Sequence, residues 1–123
     1  MALAACSIAS PKAPALSEPF AHHVLFWLKD GEKNTNYSAI LKALKEFRKV
    51  PDVKFLHIGS PSISDIDYEA QATDATYTIS YLAFFESRKA KEDYLSHPLH
   101  KKFFNDFKEV VSKVLIYDSL NIL

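Results

Sequence analysis

The sequence predicts an α+β sandwich, one antiparallel sheet carrying helices on a face. Three observations predict it. Apolar residues recur with a period that switches between strand and helix spacing, in the order β-α-β-β-α-α-β. The chain has 123 residues, the length of one compact domain, and 48% of them are hydrophobic, enough for a core. The strands are apolar on both parities, so the sheet is expected to be covered on both faces.

Residues 1–19 are rich in Ala, Ser and Pro and show no period, which predicts a tail ahead of a domain over 20–123. "FAHHVLFWLKD" reads as the first strand. His22, Val24, Phe26 and Leu28 share one face, and His23, Leu25, Trp27 and Lys29 the other. Tyr37, Ile40, Leu41, Leu44 and Phe47 then recur at helical spacing; Asn34 or Thr35 is the expected cap and Pro51 the stop. "VKFLHIGS" is the second strand, and 61–75 an acidic loop. Thr76 to Phe85 is a β-branched and aromatic strand. Ser87 caps a helix running through Tyr94, and Pro98 opens another. In that helix Leu99, Phe103, Phe107, Val110, Val111 and Val114 form the apolar stripe, and "VLIYDSLNI" is the last strand.

Helices on one face of four antiparallel strands in this order give a ferredoxin-like fold. Leu25, Trp27, Leu82, Phe84, Leu115 and Tyr117 then crowd the opposite face. Left in water they would form an apolar patch that monomers rarely carry, so a homodimer with a barrel-like core is expected. The alternative is that the N-terminal tail folds over this face.

The stretch "YLSHPLHKKF", Tyr94 to Phe103, concentrates the chemistry. His97 before Pro98 reads as a helix-start residue. His100 follows near the helix N-terminus, where the dipole disfavours imidazolium and keeps the ring neutral, available as a base. In the last strand Val114, Ile116 and Asp118 share a face, and a carboxylate on an apolar face needs a partner, which a histidine N–H satisfies. Tyr94 supplies a phenolic donor for a developing enolate oxygen. Inward parity adds His22, Val24, Phe26, Leu56, Ile79, Tyr81 and Ile116, with Phe103 from the helix, as the expected lining of a pocket for a small, largely apolar, carbonyl-bearing ligand. His23 and His57 have the opposite parity and belong at the surface or interface.

"HHVLFWLK", "PDVKFLHIG", "YLSHPLHKKF" and "VLIYD" occur in an order that resembles the stress-responsive α/β-barrel family, the Dabb domain, over residues 20–120. The resemblance implies a ferredoxin-like subunit in a dimeric barrel. Many members of that family have no assigned activity, while a plant branch cyclises linear polyketides by an aldol condensation without a cofactor. Carried over residue by residue, it implies His100 as general base with Tyr94 and Asp118 as partners, and His22 in the first strand. His100 is accordingly expected within hydrogen-bond reach of Asp118. Where that branch has a further histidine in the third strand, this chain has Ile79.

The expected function is therefore a cofactor-free lyase or cyclase. A non-catalytic small-molecule-binding or stress-response protein is the alternative, with His100 and Asp118 a structural pair and Tyr94 a core ring. A cofactor-free oxygenase is a further one. Charge balance, with 15 Lys+Arg and 15 Asp+Glu, leaves no basic surface for nucleic acid. The two glycines, Gly31 and Gly59, make no phosphate-cradling loop, so no nucleotide cofactor is expected. The H-P-L-H spacing, without a cysteine cluster, is poor for a metal, and none is expected. "LAAC", Leu3 to Cys6, matches the bacterial lipoprotein cleavage box. The expectation is a lipid anchor on Cys6 and a place at the cell envelope, or a chance match and a cytoplasmic protein.

Overall fold

The computed structural model describes residues 19–123, so Cys6 and the expected tail, save Pro19, lie outside the described residues. Strand β1 spans Phe20–Leu28, β2 Phe55–Gly59, β3 Ile79–Phe85 and β4 Val111–Leu120. They form one sheet in the order β2-β3-β1-β4, every neighbouring pair antiparallel. This is the expected ferredoxin-like arrangement. Helix α1 covers Tyr37–Glu46 and tightens into a 3-10 turn over Phe47–Lys49; α3 covers Arg88–Leu95 and α4 Pro98–Phe107.

Burial along β1 alternates strictly: Phe20, His22, Val24, Phe26 and Leu28 are buried beneath the helices, and the residues between them are half-buried on the open face. Ile40, Leu44, Phe47 and Val50 of the α1 segment pack on Ile79, Tyr81, Ala83 and Phe85 of β3 to form the core. Phe47 is its hub, with ring centroids of Tyr94, Tyr81, Phe103 and His100 at 5.4, 5.8, 5.9 and 6.1 Å.

Three local expectations are corrected. The acidic loop contains a helix, α2 at Asp67–Ala72, whose short polar sequence carries no apolar stripe to announce it. The last helix ends at Phe107, and Val110, Val111 and Val114 belong to the turn and to β4. Neither Asn34 nor Thr35 caps α1. Its N-cap is Asn36, and Asn34 instead ties the approach, donating to the Lys29 carbonyl at 2.8 Å and accepting from the Asn36 amide at 2.8 Å. Ser87 does cap α3, its hydroxyl accepting from the Ala90 amide at 3.1 Å. His97 starts α4 as expected, its Nδ1 accepting from the Leu99 amide at 3.1 Å.

Helix α3 depends on that cap for its first turn. Ser87→Ala should lower unfolding free energy by about 1 kcal/mol, read from the shift in urea midpoint at unchanged slope.

Candidate functional site

Strand register sets the site. His22 lies opposite Asp118 in β4 and opposite Ala83 in β3. Beside it, helix α3 brings Tyr94 and α4 brings His100, and the first turns of α4 stand over the buried face of β1. The result is a cavity of about 500 Å³ between sheet and helices. Val24, Phe26, Leu44, Phe47, Leu95, Phe103, Phe107 and Ile116 give it apolar walls. A volume of this size suits one small organic molecule. Phe104, Val114 and Ile116 are large apolar side chains at its rim, each about half exposed. At the same end, β4 bulges opposite Trp27 and Leu28, and the Ser112 hydroxyl there donates to the Trp27 carbonyl at 2.9 Å.

His22, Tyr81, Tyr94 and His100 are the polar groups at one end of the cavity, and Lys108, Ser112 and Lys113 border it as well. His22 is buried, and its Nδ1–H donates to Asp118 Oδ1 at 2.6 Å. That bond selects the tautomer with a bare Nε2. Burial is the larger influence on His22 and holds its pKa below the ordinary 6.5, with Asp118 pulling the other way. His100 is also depressed, first by burial and then by the nearby charge that His22 would carry. Its ring meets that of Tyr94 edge-on at 5.2 Å. Both imidazoles are therefore neutral at pH 7. The sequence argument reached the same state for His100 through the helix dipole.

The hydroxyls of Tyr81 and Tyr94 lie 2.9 Å apart. Burial raises both phenols, Tyr94 to about 12, so they remain protonated donors. One O–H is spent between them. The other is free for an acceptor in the cavity.

The expected bond between His100 and Asp118 is not made. Asp118 pairs with His22 because both sit on the inward face at directly opposed positions of adjacent strands, whereas His100 stands on a helix across the cavity. Of the expected lining, His22, Val24, Phe26, Tyr81, Phe103 and Ile116 face the cavity. Leu56 and Ile79 do not line it. Ile79 is sealed in the core at 0% exposure, and Leu56, on β2, packs against that core. His23 and His57 lie on the open face, where His23 Nε2 bonds the Ser80 hydroxyl at 3.0 Å. Sequence reasoning missed Lys91, whose ammonium is 3.3 Å from Asp118 Oδ2. Its signal is the helical spacing of Lys91 and Tyr94, three apart on one side of α3. Among the described residues no group of three or more His, Cys, Asp or Glu is placed to hold a metal, and no helix is long and apolar enough to cross a membrane.

Fold and cavity together define an α+β sandwich subunit with a pocket between its sheet and its helices. The chain belongs to the Stress Responsive A/B Barrel Domain family, Dabb, whose profile matches residues 20–121. It is 27% identical over 101 residues to the stress-response A/B barrel domain-containing protein HS1 of Arabidopsis thaliana, covering 81% of this chain and 87% of that one. Among solved structures it resembles a dimeric ferredoxin-like protein of unknown function from Thermobifida fusca, with a TM-score of 0.69 at 13% identity over 91% of this chain and all of that one (100%). It also resembles the hydroxynitrile lyase of Passiflora edulis, with a TM-score of 0.68 at 17% identity over 85% of this chain and 95% of the lyase. At these identities the two structures show a shared fold.

The depressed imidazoles tie stability to pH. Below the unfolded value of 6.5 the unfolded chain takes up protons that buried His22 and His100 refuse, so stability falls as pH drops from there towards their folded values. The melting temperature should be flat between about pH 8 and pH 7 and should decline towards pH 5. A His100→Gln variant should show a shallower decline in the same scan.

Proposed function

We propose that the cavity binds a small, largely apolar, carbonyl-bearing molecule and that the domain acts on it by proton transfer without a cofactor, as a lyase or cyclase. The observation that carries this reading is the meeting of two neutral imidazoles and a phenol pair inside one apolar pocket of about 500 Å³. His100 is the base, taking a proton from the carbon beside the carbonyl or, in a cyanohydrin, from the hydroxyl. The free O–H of the Tyr81–Tyr94 pair donates to the oxygen on which charge develops or resides. Burial supports both roles, because it keeps the imidazole unprotonated and the phenol protonated at neutral pH. The likeness in fold to a hydroxynitrile lyase is consistent with this class of chemistry.

A second reading is a binding module without turnover. Among the described residues no side chain hydrogen-bonds the His100 ring to orient it, and one of the two tyrosine O–H groups is spent on the other tyrosine. Exchange of α-protons in aryl ketones for deuterium and cleavage of aromatic cyanohydrins separate the two. Turnover that His100→Ala abolishes, with the melting temperature within a few degrees of the parent, is the expected result. Turnover undiminished in His100→Ala removes His100 as base. Saturable ligand binding with neither reaction favours the binding module.

We infer that the domain works as a homodimer through the open face of its sheet. Phe55 and Tyr117 are 51% and 58% exposed there, beside half-buried Leu25, Trp27, Leu82, Phe84 and Leu115. The relative from Thermobifida fusca is described as dimeric. Sedimentation at micromolar concentration should give twice the chain mass of 13.9 kDa. Phe84→Asp should yield monomer, since it sets a charge between Phe55 and Ala21. It is a sharper test than Trp27→Asp, because the Lys113 ammonium stands 4.6 Å from the Trp27 ring and would receive a carboxylate there.

A further inference from the structure

Helix α3 carries two lysines in unlike surroundings. The Lys89 side chain is 83% exposed, while that of Lys91 is 11% exposed. A covered ammonium loses its hydration and is kept only where other groups replace it. Around Lys91 Nζ those groups are Asp118 Oδ2 at 3.3 Å, Glu92 Oε1 at 3.8 Å and the face of the Phe20 ring at 5.3 Å. The Asp118 carboxylate is thus shared, with Oδ2 turned to Lys91 and Oδ1 to His22 Nδ1 at 2.6 Å. Helix α3 and strands β4 and β1 are joined into one polar chain that ends at the cavity.

We propose that Lys91 is a positioning residue of the site, fixing the Asp118 carboxylate so that His22 is held as the Nδ1–H tautomer with its bare Nε2 presented to the ligand. In catalysis this makes His22 a second oriented base opposite His100, a role that rests on the proton-transfer reading; the positioning itself does not. The chemistry follows from charge. An isolated aspartate beside an imidazole draws a second proton onto the ring. An ammonium on its other oxygen offsets that pull while leaving Oδ1 free to accept the Nδ1–H.

The groups facing His22 act in opposite directions, with burial the largest influence. Asp118 from β4 favours the protonated ring. Lys91 from α3 and neighbouring His23 oppose it, as does burial beside the rings of Tyr81 from β3 and Tyr94 from α3. His100 from α4 stands across the same cavity and is itself depressed, by burial first and by His22 second. Among the described residues, Lys91 is the lysine that acts with burial to keep His22 neutral.

The test is a nitrogen–proton correlation titration of the histidine rings in the full chain, comparing the parent with Lys91→Met and Lys91→Arg. The parent should show His22 neutral at pH 7, with Nδ1 protonated. In Lys91→Met the His22 midpoint should move upward and the preference for the Nδ1–H tautomer should weaken. Lys91→Arg should keep both near the parent. If Lys91→Met does not fold, Lys91→Gln carries the same readout. A His22 midpoint and tautomer unchanged in a folded Lys91→Met or Lys91→Gln overturns the proposal, as does a parent His22 protonated on Nε2. A shifted titration in a protein that exchanges no substrate protons supports the positioning and overturns only the catalytic reading.

Discussion

Everything at the site depends on the register of β1, which is paired on both edges, to β3 and to β4. Pairing along both edges leaves the strand little freedom to slide, and its strict alternation turns His22 to the helices and His23 away. A slip by one residue would exchange the two histidines and break the bond to Asp118. The same register puts Ala83 beside His22 in β3. A small residue there leaves room for the imidazole between the rings of Tyr81 and Phe85, with centroids 6.5 and 6.2 Å from it.

Packing then decides the electrostatics. The helices cover β1 and β3 fully but β4 only in part, so Val114 and Ile116 stay open at the rim while His22, Tyr81 and Tyr94 are buried. Burial lowers both imidazoles and raises both phenols, since it disfavours the charged form of each. Lys108 and Lys113 border the cavity, and behind His22 a carboxylate and an ammonium, those of Asp118 and Lys91, meet. That pair lies at the edge of the domain, with the Asp118 side chain 29% exposed, so water shares the burden of solvating it.

Much of this was legible in the sequence because period and parity are local properties. The strands, the Ser87 cap, the Pro98 helix start and the inward face of β1 follow from neighbours within a few residues. The partner of Asp118 does not. Parity puts Asp118 on the inward face, but only the β1–β4 register, fixed over 96 residues of separation, chooses His22 over His100. Leu56 and Ile79 have the right parity for the cavity, yet β2 and the near end of β3 lie under the core and away from α4. Lys91 reads as one more wet lysine until the approach of α3 to the end of β4 is known. Helix α2 is held by its own backbone bonds and a Thr73 hydroxyl donating to the Glu69 carbonyl at 2.7 Å, which no apolar pattern announces.

The depressed basicity of the two histidines bears on the fate of any proton that enters the cavity. An imidazolium formed there is surrounded by apolar walls and faces another imidazole. It is a stronger acid than the same ion in water, and it gives the proton up quickly. Such a pocket is a poor reservoir and a good loan office. On the proposed proton-transfer reading, it suits reactions in which a hydrogen is lifted and passed on at once, to the substrate, to a leaving group or to solvent, rather than stored on the ring.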